Sequence, residues 1–284
     1  MSALQPTALA LASTFLFVPA TRPERFAKAL ASGAGVVVID LEDAVSPADK
    51  VAARASLGAA LAQMAPADRA RVMLRVNAAG TPWHDDDLAA AALQIGEGMA
   101  GVMLPKAESA DMIAHASIVL GPAAQLVPLM ESGAGLDALD AISRAPQVVR
   151  LAFGHLDFMA DLGMACEGDE PELLPVRLAL VRASHRARLA APVDGVTVDT
   201  ADPAVTARDA ARSRRMGFGA KLCIHPAQVA AVRAAFMPTE AERAWAHRVL
   251  ERAAQGDAVF ALDGHMVDAP VIRRAERIRA WAER

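Results

Sequence analysis

Cysteine is scarce in this chain: Cys166 and Cys223 are the only two among 284 residues. Two scattered thiols cannot build a disulfide framework or a thiolate zinc site, and they suit a reducing cytoplasm. An excess of positive charge is missing too. Lys and Arg number 29 against 33 Asp and Glu, a net charge of −4, so no global basic field argues for nucleic acid. Any anionic ligand must be held by a local cluster. No uninterrupted apolar run reaches the length of a membrane span. Residues 7–20 carry no charge, but no Lys or Arg precedes them, so they lack the positive flank of a secretory signal. They read as a short frayed tail leading into a first buried strand. Neither GxGxxG nor GxxxxGKS/T follows an apolar run, which weakens a dinucleotide or P-loop reading. Linkers and low-complexity stretches are absent as well.

What is present is a repeated plan. Hydrophobic residues make up 54% of the chain, enough for a large core. Eight short apolar runs occupy residues 14–18, 36–39, 72–76, 101–104, 125–129, 148–153, 193–198 and 219–224. Their starts lie about 29 residues apart on average, the length of one βα unit. Ala-rich amphipathic segments with helix-start signals separate them. Ser46 with Pro47 is expected to open one helix, Glu108 and Asp111 sit early in the next, and Asp202-Pro203 opens the helix leading to Gly217. Strand–helix alternation gives a parallel sheet with helices outside, and eight repeats favour closure into a (β/α)8 TIM barrel. The expected organisation is an N-terminal tail over residues 1–13, a barrel over 14–236 and a helical extension over 237–284. Within that extension, residues 239–255 and 269–283 read as helices, and the second carries Arg273, Arg274, Arg277 and Arg279.

In such barrels the chemistry sits at the carboxyl ends of the strands. The second run, Val36-Val-Val-Ile, ends in Asp40, Glu42 and Asp43, and acids cannot finish a buried strand unless it opens onto a wet or metal-filled mouth. The first run ends near Phe17, followed by Arg22 and Lys28. The third ends in Arg75 and Asn77, the fourth in Pro105-Lys106, the fifth in Glu131-Ser132-Gly133, the sixth in Gly154 and Asp157, and the eighth in His225-Pro226. Oxygen donors with spare positions suit a magnesium-type ion, whereas the thiolates or paired histidines wanted for zinc are absent. Arg75 is a fork able to grip a carboxylate. An ion facing an arginine can cradle a 2-oxo acid and stabilise an enolate or alkoxide during carbon–carbon cleavage.

Blander roles stand beside these. Glu131 and Asp157 could be salt-bridge partners or helix caps. Asp40 could pair structurally with a group on strand one or eight. Arg75 could pair with Asp40 or Glu42 when no ligand is bound. Lys28 is ordinarily a solvated helix residue. His225 reads as structural, His84 as part of a helix first turn with acids suited to the dipole, and both cysteines as small packed hydrophobes.

Taken together, Thr21-Arg-Pro-Glu-Arg-Phe-Ala-Lys28, Asp40-Leu-Glu-Asp-Ala-Val45, Leu74-Arg-Val-Asn77, Leu104-Pro-Lys106, Glu131-Ser-Gly133, Gly154-His-Leu-Asp157 and Ile224-His-Pro226 resemble the citrate lyase β-subunit-like (HpcH/HpaI aldolase) family from about Phe15 onward. The resemblance implies a cytoplasmic lyase of the malyl-CoA, citramalyl-CoA or citryl-CoA type, producing an acyl-CoA and a 2-oxo acid. It implies Mg2+, or Mn2+ in its place, on Glu131 and Asp157, with Asp40, Glu42 and Asp43 around it. Arg75 would bind the oxo acid, and Phe17, Arg22 and Lys28 would line the coenzyme A site. Gly264-His-Met-Val-Asp268-Ala-Pro270 resembles the family's lid, which would deliver Asp268 from a neighbouring subunit of a homo-oligomer, trimer or hexamer, for proton transfer. The family more often has Lys or Ser where His265 stands. Rival readings are a CoA-independent oxo-acid aldolase, an acyl-CoA thioesterase using water near Asp268, and an accessory subunit of a citrate lyase complex.

Overall fold

The computed structural model describes residues 7–256 and 259–282. Eight parallel strands close into a barrel in sequence order: β1 (Thr14–Pro19), β2 (Val36–Asp40), β3 (Val72–Arg75), β4 (Gly101–Leu104), β5 (Leu126–Met130), β6 (Ala152–Phe153), β7 (Val193–Asp194) and β8 (Ala220–Cys223). Helices connect them, as the alternation of patterns requires. Among the described residues no helix is long and apolar enough to cross a membrane.

The barrel core follows the two-residue period of a strand. Phe15, Val36, Val38, Met73, Met103, Val127, Leu129, Ala152, Val193, Ala220 and Leu222 all point inward into one cluster. The next inward position beyond Val38 is Asp40, beyond Met73 it is Arg75, and beyond Leu129 it is Glu131. The same alternation that packs the core therefore delivers the polar groups to the mouth.

The other end is closed by the chain's own beginning. Residues 7–12 are not frayed. Ala8–Leu11 forms a short helix capped by Thr7, and Leu9 is fully buried beneath the barrel. Arg150, itself buried, donates from Nη1 to the carbonyls of Leu9 (3.0 Å) and Ala12 (2.7 Å). That arginine sits inside the sixth apolar run. It helps explain why the run contributes only two strand residues: the chain there serves the plug before it joins the ladder.

Helix starts differ from expectation at two places. Ser46-Pro47 forms a turn, Ser46 Oγ donates to Asp49 Oδ2 at 2.7 Å, and the helix proper is Lys50–Ala62. Asp202 caps Pro203–Met216, and Gly217 ends it with φ of 100°. Ser109 caps Ala110–Leu120, so Asp111 lies in its first turn as expected and Glu108 lies just before it.

The chain divides into two compact units, one up to Arg233 and one from Ala234. In the second, the helix Glu240–Ala254 begins with a reciprocal capping box between Thr239 and Glu242. A hairpin follows, β9 (Phe260–Leu262) and β10 (His265–Val267), turned by Asp263 and Gly264, both at positive φ. The helix Ala269–Ala282 completes a small core of Ala246, Val249, Phe260, Val267, Ala275 and Ile278.

Candidate active site

Asp40 and Arg75 are register partners on β2 and β3, so their inward side chains meet. Arg75 Nε donates to Asp40 Oδ1 (2.7 Å) and Nη2 to Oδ2 (2.6 Å), a bidentate fork. The same two oxygens accept the backbone N–H groups of Glu42 (2.9 Å) and Ala44 (3.1 Å). Asp40 is thus saturated. It fixes the guanidinium on one side and the acidic loop on the other, and its partner lies on strand three rather than on strand one or eight. Buried Lys50 fastens the loop from behind, donating to the carbonyls of Leu41 (2.8 Å) and Glu42 (2.7 Å). The remaining Arg75 edge, Nη1, faces Glu42 (3.0 Å) and Asp43 (3.1 Å). The ring of Phe17 lies 4.9 Å from the guanidinium carbon, a cation–π support.

Glu131 stands one position beyond the end of β5. The backbone N–H of Lys106 donates to its Oε1 at 2.7 Å. Lys106 reaches that orientation through a left-handed backbone, φ 46°, the kind of strain that persists where a site needs it. Glu131 Oε2 is buried and has no hydrogen-bond partner. A Cβ on Gly154 would stand 2.5 Å from that oxygen, so glycine keeps the space open.

Asp157 sits in the first turn of the helix His155–Leu162, directly after β6. One turn later, Asp161 Oδ2 accepts the N–H of Gly133 at 2.8 Å. The helix that carries Asp157 is thereby tied to the segment that carries Glu131. Both carboxylates line a cavity of about 390 Å3, together with Phe17, Asp40, Asp43 and Arg75.

The electrostatics of this mouth are unbalanced. Burial pushes Glu131 up to about 8, with Glu42 and Asp157 adding repulsion against the opposing Lys106 N–H and Arg75. Burial likewise raises Glu42 to about 7, against the pull of Arg75. Two buried acids held short of charge, each with an oxygen that accepts no hydrogen bond, form a set that a cation would satisfy. The donors are all oxygen, and among the described residues no group of three or more His, Cys, Asp or Glu forms a ready-made cage. Such a set fits an ion that takes one or two carboxylates and keeps waters, as Mg2+ does. Glu131 and Asp157 would hold it.

Behind Asp157, buried His155 also reaches the cavity wall. Its Nε2 lies 3.3 Å from Glu170, while Gly195 is so close that a Cβ there would clash with Nδ1 at 2.1 Å. Burial alone would raise Glu170, but hydrogen bonds from His155 and Arg177 hold it at about 2. Arg22 and Lys28 are exposed and stand outside the cavity lining, Arg22 being 3.6 Å from Glu24. His225 accepts the N–H of Ala227, a local turn contact. Asp268 belongs to the second unit, where its carboxylate accepts the N–H of Val271 at 3.3 Å. Sequence reasoning gave no role to Lys106, Asp161 or His155. For Asp161 a signal existed: the four-residue spacing from Asp157 puts both on one helix face.

Comparison with known proteins decides the family. Residues 13–226 match the HpcH/HpaI aldolase/citrate lyase family. The chain belongs to this family. Its sequence is 39% identical over 268 residues to a citrate lyase subunit beta-like protein of Mycobacterium tuberculosis, covering 92% of each chain. It is 30% identical to an L-malyl-CoA/beta-methylmalyl-CoA lyase of Cereibacter sphaeroides, over 94% of this chain and 93% of that one. Among solved structures it resembles CitE from M. tuberculosis in complex with magnesium, acetoacetate and coenzyme A. The TM-score is 0.84 at 35% identity, over 97% of this chain and 100% of that one. Another structure of CitE from that organism holds magnesium and pyruvate, and one of a citrate lyase beta subunit from M. tuberculosis holds oxaloacetate and magnesium. This HpcH/HpaI-family barrel is therefore a member of a group of carbon–carbon lyases, and its mouth is the place to look for their chemistry.

Proposed function

We propose that this protein is a Mg2+-dependent lyase, with Mn2+ able to serve in its place. It cleaves or forms a 3-hydroxy-3-carboxyacyl-CoA, such as malyl-, citramalyl- or citryl-CoA, yielding an acyl-CoA and a 2-oxo acid. The observation that carries this reading is the orphaned, charge-starved carboxylate of Glu131, which shares one cavity with Asp157 and the anchored fork of Arg75. A bound Mg2+ would supply a Lewis acid toward the oxo-acid oxygens.

The protein's own groups do the rest. Asp40 closes one edge of Arg75, leaving Nη1 as the edge that meets substrate. Asp43, whose side chain is 62% exposed, is the partner a substrate oxygen displaces. The guanidinium then balances charge on the oxygen that changes between hydroxyl and carbonyl, a preorganised electrostatic contribution. Asp268 manages the proton at the acyl α-carbon. A mobile lid suits that task, because the group must come within hydrogen-bond reach only when the ester is bound.

We place Asp268 on the mouth of a neighbouring subunit in a homo-oligomer, trimer or hexamer. Exposed apolar side chains support this: Leu156 and Val198 around the barrel mouth, and Met266 on the hairpin. Arg22 and Lys28, solvated beside β1, are suited to the phosphates of coenzyme A. The free thiols of Cys166 and Cys223 agree with a cytoplasmic location.

Asp268→Asn is expected to abolish turnover while leaving CoA-ester affinity intact. Co-expressed with Glu131→Gln, itself inactive, it should recover activity, because mixed oligomers contain some intact composite sites. EDTA should silence the wild type and Mg2+ restore it. Full activity of Asp268→Asn, or of the EDTA-treated protein, overturns the assignment.

A further inference from the structure

The three candidate esters differ in one substituent on the carbinol carbon: hydrogen in malyl-CoA, methyl in citramalyl-CoA, and a carboxymethyl group in citryl-CoA. The cavity is sharply divided, and the division bears on that substituent. Charge is confined to the arc from β2 to β6. It comprises Asp40, Asp43, Glu131, Asp157 and Arg75, with the Lys106 ammonium acting on Glu42 from the β4 side. The arc from β7 to β8 presents Val196, Leu222 and Ile224, and no polar side chain among the lining residues. His155 cannot serve that arc, because its Nε2 already faces Glu170 and its Nδ1 is packed against Gly195.

On this basis, and resting on the lyase reading above, we infer that the pocket is built for a 2-oxo monocarboxylic acid with a small apolar substituent, pyruvate by its chemistry, and rejects a dicarboxylic one. The first carboxylate has its place on the charged arc. A second carboxylate would have to lie against an apolar wall with no donor, in a cavity already rich in acids, and an unpaired charge is costly there. A methyl group fits the same wall and gains by leaving water.

The reaction balances with these parts alone. The hydroxyl proton leaves to water at the open mouth, and the C–O bond becomes the carbonyl of the oxo acid. The bond between the carbinol carbon and the acyl α-carbon breaks, and its electron pair passes into the thioester enolate. A proton then returns to that α-carbon. The substituent takes no part in this bookkeeping, so its fit to the wall sets selectivity without changing the chemistry.

The test uses the full-length protein in MgCl2. Initial rates are measured for malyl-, citramalyl- and citryl-CoA, and pyruvate and oxaloacetate are titrated calorimetrically without coenzyme A. The expected result is a kcat/KM for citramalyl-CoA about a hundredfold above that for citryl-CoA and about tenfold above that for malyl-CoA. Pyruvate should bind more tightly than oxaloacetate. Ile224→Arg, at an exposed position of the apolar arc, should narrow both the ester and the acid preferences by placing a cation there. Equal or better use of citryl-CoA, or oxaloacetate binding as tightly as pyruvate to the wild type, overturns the inference even if Ile224→Arg does not fold. If pyruvate is preferred in the titration but no ester is cleaved, the pocket's selectivity stands and the lyase reading falls instead.

Discussion

Asp40 and Glu131 both stand at carboxyl ends of strands in the same ring, on β2 and after β5, yet one is saturated and the other orphaned. Asp40 spends both oxygens on Arg75 and the loop amides, leaving no lone pair aimed at a ligand. Glu131 keeps Oε2 unpaired in a space held open by Gly154. The contrast separates a residue that builds the site from one that uses it, and spacing alone could not have done so. Asp161 belongs with the builders. Its bond to Gly133 couples the supports of Glu131 and Asp157, so Asp161→Ala should weaken Mg2+ binding about tenfold. Asp161→Asn, which keeps an acceptor oxygen, should restore most of it. Titration with Mg2+ or Mn2+ followed by protein fluorescence gives the comparison, and unchanged affinity in the alanine variant would show the two supports to be independent.

Among the elements, β6 and β7 have only two ladder residues each, and something other than backbone pairing must hold that sector. A buried charge network does so around β7. Arg177 Nε donates to Asp194 (3.0 Å), Ser213 Oγ donates to the same carboxylate (2.5 Å), and Lys221 Nζ donates to the Gly195 carbonyl (2.6 Å). Asp194 is fully buried, and Arg177 and Lys221 nearly so. Burial works against the carboxylate, but Lys221 and Arg177 overcome it and hold Asp194 below its ordinary value. Asp194→Ala would leave buried Lys221 without the carboxylate that faces it and Arg177 with Glu170 alone, and should cost about 3–5 kcal/mol in urea unfolding. A loss within experimental error would mean that the sector is held by packing alone.

The eight-fold plan and the inward acids were legible in the sequence because apolar runs and their polar endings are local patterns. The shortness of β6 and β7 was not legible. Val148–Phe153 and Val193–Val198 are apolar enough to read as full strands, while Arg150 and Asp194 engage partners far away in the chain. The Asp40–Arg75 pair was among the expectations, but the same limit hid the positive φ of Lys106 and the Glu170 clasp on His155, since each is set by tertiary neighbours. The packed plug at residues 7–12 was misread for that reason: its anchor, Arg150, lies 138 residues from Ala12.

For the molecule as a whole, the raised acids make stability depend on pH and on the cation together. Glu131 and Glu42 are raised from an ordinary 4.5 to about 8 and about 7 in the folded state. A group with a raised folded value binds its proton more tightly when folded. Its contribution is therefore complete below about 4.5 and is lost as pH rises through the folded values. The Tm of EDTA-treated protein should fall between pH 5 and pH 8 by several degrees (about 4 °C per kcal/mol or less for a chain of this size). Mg2+ should raise the Tm more at pH 8 than at pH 6, because it replaces protons on the same carboxyls. A Tm that is flat across this range, with or without Mg2+, would show that the two acids do not sense one another or the ion.

Arg75 has one further consequence. Without substrate the guanidinium is already surrounded by anions, so on the proposed reading an arriving oxo acid would not neutralise a naked cation; it would evict Asp43 and take over that berth. Recognition here is an exchange of like for like. The displaced side chain swings into water, where it is at home, and the newcomer inherits a seat whose geometry Asp40 had settled in advance.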